Sequence, residues 1–188
     1  MLTTVYFVRH AQPDLNIHND LKRPLTEKGL KDRKKLVLYF KDKKIDIAYS
    51  SPFKRAMDTI EPVVKNKGLS VTLIKDFRER KIGDEWIPNF HEYCEKQWKD
   101  VNYKLENGES FKETQNRNIG ALKNILKGNL GKAILIGGHG TAIGTLINYF
   151  DPNFDYANFI KIQPIMPFIV EIVFNDLKFK EWKLINLS

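Results

Sequence analysis

The sequence predicts a single α/β domain of three layers, in which helices cover both faces of a mostly parallel central sheet. Two short apolar runs rich in β-branched and aromatic residues, Leu2 to Val8 and Ile45 to Ser50, each lead into a polar loop and then a helical pattern. This alternation is typical of α/β folds. The length of 188 residues suits one domain. A chain of that size buries roughly 70% of its unfolded surface without a disulfide or a structural metal.

Signals for helices and strands alternate along the first half of the chain. Thr26 begins a helix that we expect to run to about Phe40. Pro52 lies in the first turn of a second helix, residues 53 to about 65, where a missing amide proton does no harm. A third short strand is expected at residues 71–74.

Amphipathic patterns dominate the second half of the chain. Residues 110–126 carry apolar side chains at mostly helical spacing, and residues 141–150 repeat the pattern. The strand expected at residues 133–137 lies between these helices. Two β-rich runs near the end, 168–174 and 177–184, are separated by an Asn–Asp pair, which predicts a hairpin.

The segment from about residue 78 to residue 108 departs from this alternation. It is polar, with aromatic residues such as Trp86, Phe90, Tyr93 and Trp98 interspersed. We expect an insertion within a single domain of residues 1–188, folded like a lid over the C-terminal edge of the sheet. Two roles stay open for its aromatic side chains: a small core of their own, or a surface that contacts substrate.

Composition and charge narrow the class of protein. The formal net charge is +8, from 31 Lys and Arg against 23 Asp and Glu. The lysines alternate with acidic residues, which is typical of solvated faces and not of a nucleic-acid interface. No apolar run approaches the ~20 residues of a membrane span, and the first residues lack a signal-peptide pattern. We expect a cytoplasmic protein with neither nucleic-acid nor membrane partners, and homodimer formation stays open.

Two histidines stand where predicted strands end. His10 follows the first strand beside Arg9, and His139 follows the strand at residues 133–137. Because ligands bind outside the carboxyl ends of parallel strands, we expect both imidazoles to face one crevice. Arg55 adds a second guanidinium in the first turn of its helix. Two guanidiniums and a helix N-terminus suit a tetrahedral dianion.

These residues belong to a longer series of spaced motifs. The motifs are Val8-Arg9-His10-Ala11-Gln12, Asn16, Arg23-Pro24-Leu25-Thr26-Glu27-Lys28-Gly29, Tyr49-Ser50-Ser51-Pro52 with Arg55 and Thr59, Arg78-Glu79, Gly108-Glu109-Ser110 and Gly138-His139-Gly140. Over about residues 5 to 150 the chain resembles the histidine phosphatase superfamily, which includes the cofactor-dependent phosphoglycerate mutases. The resemblance implies a phosphoglycerate mutase-like fold. It also implies a phosphomonoester hydrolase that needs no metal ion or cofactor and acts on a small phosphorylated metabolite.

The resemblance also implies the residues that carry the chemistry. His10 would attack phosphorus and form a phosphohistidine, which requires an imidazole that is neutral at one nitrogen. Glu79 would protonate the leaving oxygen and later activate water, with Asp84 and Glu85 as substitutes. The phosphoryl group would be held by Arg9, Asn16, Arg55, His139 and the amide of Gly140. Weaker substrate contacts are expected from Gln12, His18 and Arg80.

Some positions depart from the family pattern. Ala11 replaces the usual glycine after the nucleophile, a change that fits unless the position needs a positive φ. Gln12 stands where mutases commonly carry glutamate, and Ile82 stands where they carry tyrosine. Mutases of this family also have a larger insertion. The sequence therefore favours a hydrolase.

Other activities remain as alternatives. The first is a cofactor-dependent phosphoglycerate mutase. The second is a non-catalytic protein that binds a phosphate ligand, although such a protein would need neither a nucleophile nor an acid. The third is a nicotinamide enzyme, since Gly138 to Gly144 approximates a dinucleotide motif with one residue too many. His91 and Cys94 form one pair of metal-ligand type without a second, so no metal site is expected.

Overall fold

Six strands form one sheet through the centre of residues 1–187, the part of the chain that the computed structural model describes. The strands are β1 (Leu2–Arg9), β2 (Ile47–Ser50), β3 (Val71–Leu73), β4 (Ala133–Gly138), β5 (Phe168–Asn175) and β6 (Lys178–Asn186). Their order across the sheet is β3-β2-β4-β1-β5-β6. Strands β3, β2, β4 and β1 pair in parallel, and β5 and β6 add two antiparallel pairings. The expectation of a mostly parallel sheet is confirmed.

Helices cover both faces of this sheet. They are α1 (Glu27–Asp32), α2 (Lys34–Phe40), α3 (Lys54–Asn66), α4 (Phe90–Lys99), α5 (Phe111–Gly128), α6 (Gly140–Phe150) and α7 (Tyr156–Ile162), with a 3-10 turn at Lys75–Phe77. Because side chains alternate along a strand, Val5 and Phe7 of β1 join the core under α5, α6 and α7. Tyr6 and Val8 join the core under α2 and α3. The three-layer α/β architecture is confirmed.

The helix expected between Thr26 and Phe40 is in fact two helices, α1 and α2, which meet at Arg33. The Arg33 guanidinium donates to the main-chain carbonyl of Asp58 at 2.6 Å and pairs with Glu61 at 3.2 Å. These contacts anchor the corner to α3. They involve residues far apart in the chain, so local helix signals did not predict the break.

Two short helices were also missed by the sequence signals. Helix α7 has seven residues and is capped by Asp155, whose side chain accepts a hydrogen bond from the amide of Asn158. Helix α4 lies in the 78–108 segment, and its buried side chains include the polar Gln97 beside Tyr93 and Cys94. A buried face with so few apolar residues gives a weak amphipathic pattern.

The aromatic residues of the 78–108 segment have different surroundings. Trp98 packs against Phe111, Phe154 and Phe159, with ring centroids 4.8 to 6.0 Å apart, so it belongs to the main core. Trp86 is 64% exposed. Trp98 thus has neither of the two expected roles, because it packs in the main core. A contact between Trp86 and substrate stays a prediction.

Strand pairing determines where the candidate functional residues lie. The amide of His10, just after β1, donates to the carbonyl of Gly138 at 3.1 Å. The amide of Ser51, just after β2, donates to the carbonyl of Gly137 at 2.9 Å. The loops that follow β1, β2 and β4 therefore meet at one edge of the sheet. No helix within residues 1–187 is both long and apolar enough to cross a membrane.

Replacement of Gly29 in α1 tests the packing beneath the first of these loops. A Cβ atom at this position would lie 2.4 Å from the main-chain oxygen of Gln12. Because a main-chain atom cannot move aside cheaply, we expect Gly29→Ala to lower the free energy of unfolding by about 1–3 kcal/mol. Urea unfolding measures the change.

The matched control is Gly120→Ala in α5. A Cβ atom there would meet nothing within 4 Å. We expect this variant to gain up to ~1 kcal/mol, since alanine is the better helix former. Equal effects of the two substitutions would contradict the close approach of α1 to Gln12.

Candidate active site

The candidate active site is built around His10. Its side chain is 6% exposed and lies just beyond the carboxyl end of β1. The ring nitrogen Nδ1 is 2.8 Å from the carbonyl oxygen of Ala11. A carbonyl only accepts hydrogen bonds, so Nδ1 carries the proton when the ring is neutral. The lone pair is then on Nε2, the nitrogen available for nucleophilic attack.

Ala11 holds its position after His10 without backbone strain. The non-glycine residues of the described chain that have a positive φ are Asn107 and Asp176. Ala11 is fully buried, and its amide donates to Thr59 Oγ1 of α3 at 2.9 Å. The substitution of the family's usual glycine is therefore compatible with the local structure.

His139 lies beside His10. It follows β4 and precedes the first residue of α6. The two imidazole centroids are 5.3 Å apart, and His139 Nε2 is 2.8 Å from Ser51 Oγ. The Nδ1 atom of His139 is buried and has no hydrogen-bond partner within residues 1–187. A buried donor or acceptor of this kind is suited to contact a ligand.

Both imidazoles have pKa values well below the ordinary histidine value. For His10, burial is the main cause, followed by the positive charges of Arg55 and Arg9. For His139, burial is again the main cause, followed by Arg55 and His10. Both rings are therefore neutral at pH 7, as a nucleophilic imidazole must be.

Arg55 extends from the first turn of α3 into the same site. Its side chain is 3% exposed, and Nη1 donates to the carbonyl of Asp20 at 2.7 Å. The same nitrogen is 2.9 Å from Asp20 Oδ1, which also lies 3.0 Å from Nη1 of the buried Arg23. One carboxylate of the loop after β1 therefore bridges two guanidiniums.

Arg9 brings a further buried cation to His10. Its Nη1 atom donates to the carbonyls of Gln163 and Ile165, just beyond α7. Its Nε atom is buried without a hydrogen-bond partner in the described chain. Burial lowers the pKa of Arg9 to about 10, while Glu79 opposes the shift. The guanidinium therefore remains charged at pH 7.

The Glu79 carboxylate lies at the N-terminus of α6. It accepts hydrogen bonds from the amides of Thr141 and Ala142, both at 3.1 Å, and from the amide of Arg80 at 2.8 Å. A carboxylate is favoured at a helix N-terminus because the helix dipole is positive there. Glu79 is thereby held at the turn that carries His139, close enough to Arg9 and Arg55 to affect their pKa values.

Comparison with known proteins agrees with this geometry. Residues 5–184 match the sequence model of the histidine phosphatase superfamily, branch 1. The chain belongs to the histidine phosphatase superfamily. It is 32% identical over 151 residues to the uncharacterized phosphatase PhoE of Bacillus subtilis, covering 78% of this chain and 76% of that protein.

Solved structures share the fold of this histidine phosphatase. Bacillus stearothermophilus YhfR superposes with a TM-score of 0.76 and 23% identity, over 95% of this chain and 94% of that one. A phosphoserine phosphatase from Entamoeba histolytica, in complex with phosphoserine, gives a TM-score of 0.75 and 21% identity over 96% of each chain. The expected phosphoglycerate mutase-like fold is confirmed.

Other residues expected at the site have different surroundings. Asn16 is exposed, and its Nδ2 donates to Asp14 Oδ1 at 3.0 Å. Gln12 Oε1 accepts from Thr26 Oγ1 at 2.9 Å, which ties the loop after His10 to the start of α1. Gly140 is the first residue of α6, directly after His139. Of these residues, Gly140 adjoins the cluster around His10, and Asn16 and Gln12 bond within their own loop.

Arg80, also expected as a weak substrate contact, is bonded within the protein, and its contact with substrate stays a prediction. Its side chain is 4% exposed, pairs with Gln97 Oε1 and lies 3.6 Å from Cys94 Sγ. His18 is exposed and stacks on Trp86, with centroids 5.6 Å apart and planes at 16°. This stack joins the loop after β1 to the 78–108 segment. A weak substrate contact from His18 stays a prediction.

Sequence reasoning missed several residues around the site of this histidine phosphatase. Ser51 and Arg23 lie inside recognised motifs, so their motif positions were an available signal. Asp20 and Arg117 lie outside any motif. Asp20 pairs with Arg55, 35 residues away, and Arg117 donates to the carbonyl of Glu79, 38 residues away, so no local pattern indicates these contacts.

The two neutral imidazoles make stability dependent on pH. The pKa of histidine in an unfolded chain is about 6.5, and both folded values lie well below it. Below pH ~6.5 the unfolded chain therefore binds protons that the folded chain does not. We expect the free energy of unfolding to fall from pH 7 toward pH 5, by up to about 1.4 kcal/mol per pH unit for each imidazole. Urea unfolding at each pH measures the slope, which should be smaller in His10→Asn; equal slopes would contradict the burial argument.

The carboxylate of Asp20 competes with an incoming anion for Arg55 and Arg23. We expect Asp20→Asn to bind inorganic phosphate about two- to fivefold more tightly, the range of a partly exposed ion pair. Titration calorimetry at low ionic strength measures the dissociation constant. Asp176→Asn is the control, because this exposed carboxylate pairs with the N-terminal amine of Met1, beyond the opposite end of β1. Weaker phosphate binding by Asp20→Asn would show that Asp20 orients Arg55 instead.

Proposed function

We propose that this protein hydrolyses phosphomonoesters through a phosphohistidine formed on His10. The observation that carries the proposal is the surroundings of that imidazole. Its Nδ1 is bonded to a carbonyl, which leaves Nε2 unprotonated and nucleophilic. Beside it lie two buried nitrogens, Arg9 Nε and His139 Nδ1, without hydrogen-bond partners in residues 1–187. Family membership and phosphatase relatives support phosphomonoester hydrolysis.

The first step of the proposed cycle forms the N–P bond. His10 Nε2 attacks phosphorus while the P–O bond to the leaving group breaks. Glu79 gives a proton to the leaving oxygen as general acid. Arg9, Arg55 and His139 stabilise charge on the transferring group, and such positioning and electrostatics dominate phosphoryl transfer.

The second step regenerates the enzyme. Water attacks phosphorus in the phosphohistidine as the N–P bond breaks, and Glu79 takes the proton from that water. Inorganic phosphate leaves, and both His10 and Glu79 return to their starting protonation states. Gly140, at the start of α6, would offer its amide to the phosphoryl oxygens. Asn16 would contribute only if its loop moved, because its amide bonds to Asp14.

Water is proposed as the acceptor in place of a phosphorylated acid. A mutase must hold a second anionic group, and the insertion would have to supply the cations. Every lysine and arginine of residues 78–108 already has a partner: Arg78 with Glu109, Arg80 with Gln97, Lys81 with Asp84, Lys96 with Glu92, Lys99 with Glu95 and Lys104 with Glu113. This supports hydrolysis over phosphoglycerate interconversion.

The substrate is proposed to be a small phosphorylated molecule. The Entamoeba histolytica relative of the same fold binds phosphoserine, a compound of this size and charge. Metal independence is also proposed, and within residues 1–187 no group of three His, Cys, Asp or Glu side chains is arranged to hold a metal ion. We further propose that the chain acts as one domain with residues 78–108 as its insertion; Ser188 lies outside the described residues.

Hydrolysis of para-nitrophenyl phosphate in the presence of a chelator tests this function. We expect turnover by the wild-type protein and a loss of at least about a thousandfold in His10→Ala, since removal of a nucleophile abolishes its covalent route. His91→Ala is the control, because His91 is exposed on α4. Undiminished activity in His10→Ala would refute the phosphohistidine.

A second measurement follows the reaction with a 32P-labelled ester, which is stopped rapidly so that label bound to the protein can be detected. We expect an acid-labile phosphoprotein in the wild type and none in His10→Ala. Phosphate binding without any hydrolysis would instead support a non-catalytic binding protein. Stimulation of phosphoglycerate interconversion by a bisphosphoglycerate would support the mutase.

A further inference from the structure

Arg117 of α5 holds the chain segment that carries Glu79. Its Nη1 donates to the carbonyl of Asp76 at 2.7 Å and to that of Arg78 at 2.9 Å. Its Nη2 lies 3.2 Å from the carbonyl of Glu79 itself. One guanidinium therefore binds three of the four main-chain carbonyls between residues 76 and 79.

Glu109 pairs with Arg117, and the two side chains together form a clamp on this segment. Its two carboxylate oxygens accept from Nε and Nη2 of Arg117 at 2.8 and 2.9 Å, a bidentate pair. Oε2 also accepts from the amide of Lys81 at 3.0 Å, and the Glu109 amide donates to the Lys81 carbonyl at 2.7 Å. Arg78 contacts the same carboxylate. The Arg117–Glu109 pair thus binds the main chain both before and after Glu79.

The environment of this pair favours its ionised form. Burial alone would raise the pKa of Glu109, but hydrogen bonds from Arg117 and the Lys81 amide, with the nearby positive charges, outweigh burial and lower it. Bidentate pairs of this kind are strong and geometrically specific. Removal of one partner leaves the other charge without its compensation. The clamp is therefore a rigid element of the site.

The Glu79 side chain is held by main-chain groups. Its carboxylate bonds to three main-chain amides, those of Arg80, Thr141 and Ala142. Where the carboxyl lies relative to α6 and His139 consequently depends on the path of the 76–81 main chain. That path is the one the clamp holds.

We propose that the Arg117–Glu109 pair positions Glu79 for proton transfer to the leaving oxygen. This inference rests on the proposed function, in which Glu79 is the acid. Arg117 contacts no reacting atom, so it is a positioning residue. It acts through the main chain of residues 76–81. It belongs to α5, whose apolar side chains pack in the core.

Substrates with different leaving groups test whether the clamp positions Glu79. An alkyl phosphate expels a basic alkoxide and needs the proton, whereas para-nitrophenyl phosphate expels a weakly basic phenolate and needs it little. General acid catalysis is typically worth about 10²–10⁴-fold. A displaced Glu79 should therefore slow alkyl ester hydrolysis much more than aryl ester hydrolysis.

The test compares kcat and KM of Arg117→Lys and Glu109→Gln on phosphoserine and on para-nitrophenyl phosphate. We expect kcat for phosphoserine to fall at least about tenfold more than kcat for the aryl ester, with KM little changed. Glu79→Gln should show the same selectivity to a larger extent. Phosphoserine serves as an alkyl phosphate probe.

Arg33→Lys is the matched control. Arg33 also joins a main-chain carbonyl, that of Asp58, and a carboxylate, that of Glu61, but it does so at the α1–α2 corner. We expect its variant to change both substrates equally. Circular dichroism and urea unfolding identify any variant that fails to fold. If Arg117→Lys does not fold, Glu109→Gln provides the test, because it preserves the shape of the side chain at residue 109 and the charge of Arg117.

Two results would overturn the inference in distinguishable ways. If Glu79→Gln shows selective loss on phosphoserine and the clamp variants lose both activities equally or lose neither, Glu79 is the acid but the clamp does not position it. If Glu79→Gln shows no selectivity for the leaving group, the proposed role of Glu79 itself fails, and the inference fails with it.

Discussion

The parallel pairing of β1 with β4 is the interaction on which the rest of the site depends. Arg9 lies opposite Gly138 in this register, so the residues that follow both strands, His10 and His139, emerge side by side. A slip of one residue would turn every side chain of a strand to the opposite face. Strand β4 also packs closely against β2 and α3, since a Cβ atom at Gly137 would lie 2.8 Å from Ser50 Oγ and 3.1 Å from the Ala56 carbonyl.

Around this pair the protein buries more positive charge than it neutralises. Burial of a cation is costly unless it is hydrogen-bonded or paired. Arg9 is bonded to carbonyls at the C-terminal end of α7, where the helix dipole is negative. Arg55 is paired with the exposed Asp20. Both histidines remain neutral, which limits the repulsion. The buried guanidiniums of Arg9 and Arg55 therefore suit an anionic ligand such as the proposed phosphomonoester.

Sequence patterns predicted what is local and missed what is distant. The central strands, the hairpin and the histidines at strand ends follow from alternating patterns and their boundaries, and motif spacing singled out Arg55 and Glu79. The break at Arg33 and the burial of Arg80 arise from contacts between remote segments. Arg117 is one arginine in an amphipathic helix, where a solvated charge is the ordinary interpretation. Only the folded chain shows that it reaches the carbonyl of Glu79.

The position of Glu79 at the start of α6 links folding to the chemistry of the site. His139, the N-cap residue of this helix, makes no side-chain cap, and the amides of Thr141 and Ala142 are satisfied by Glu79 from another part of the chain. Loss of a helix cap typically costs about 0.5–2 kcal/mol. Replacement of Glu79 would therefore remove the cap of a buried helix together with the proposed proton donor. An acidic residue at a neighbouring position could replace Glu79 only if it supplied both the helix cap and the proton.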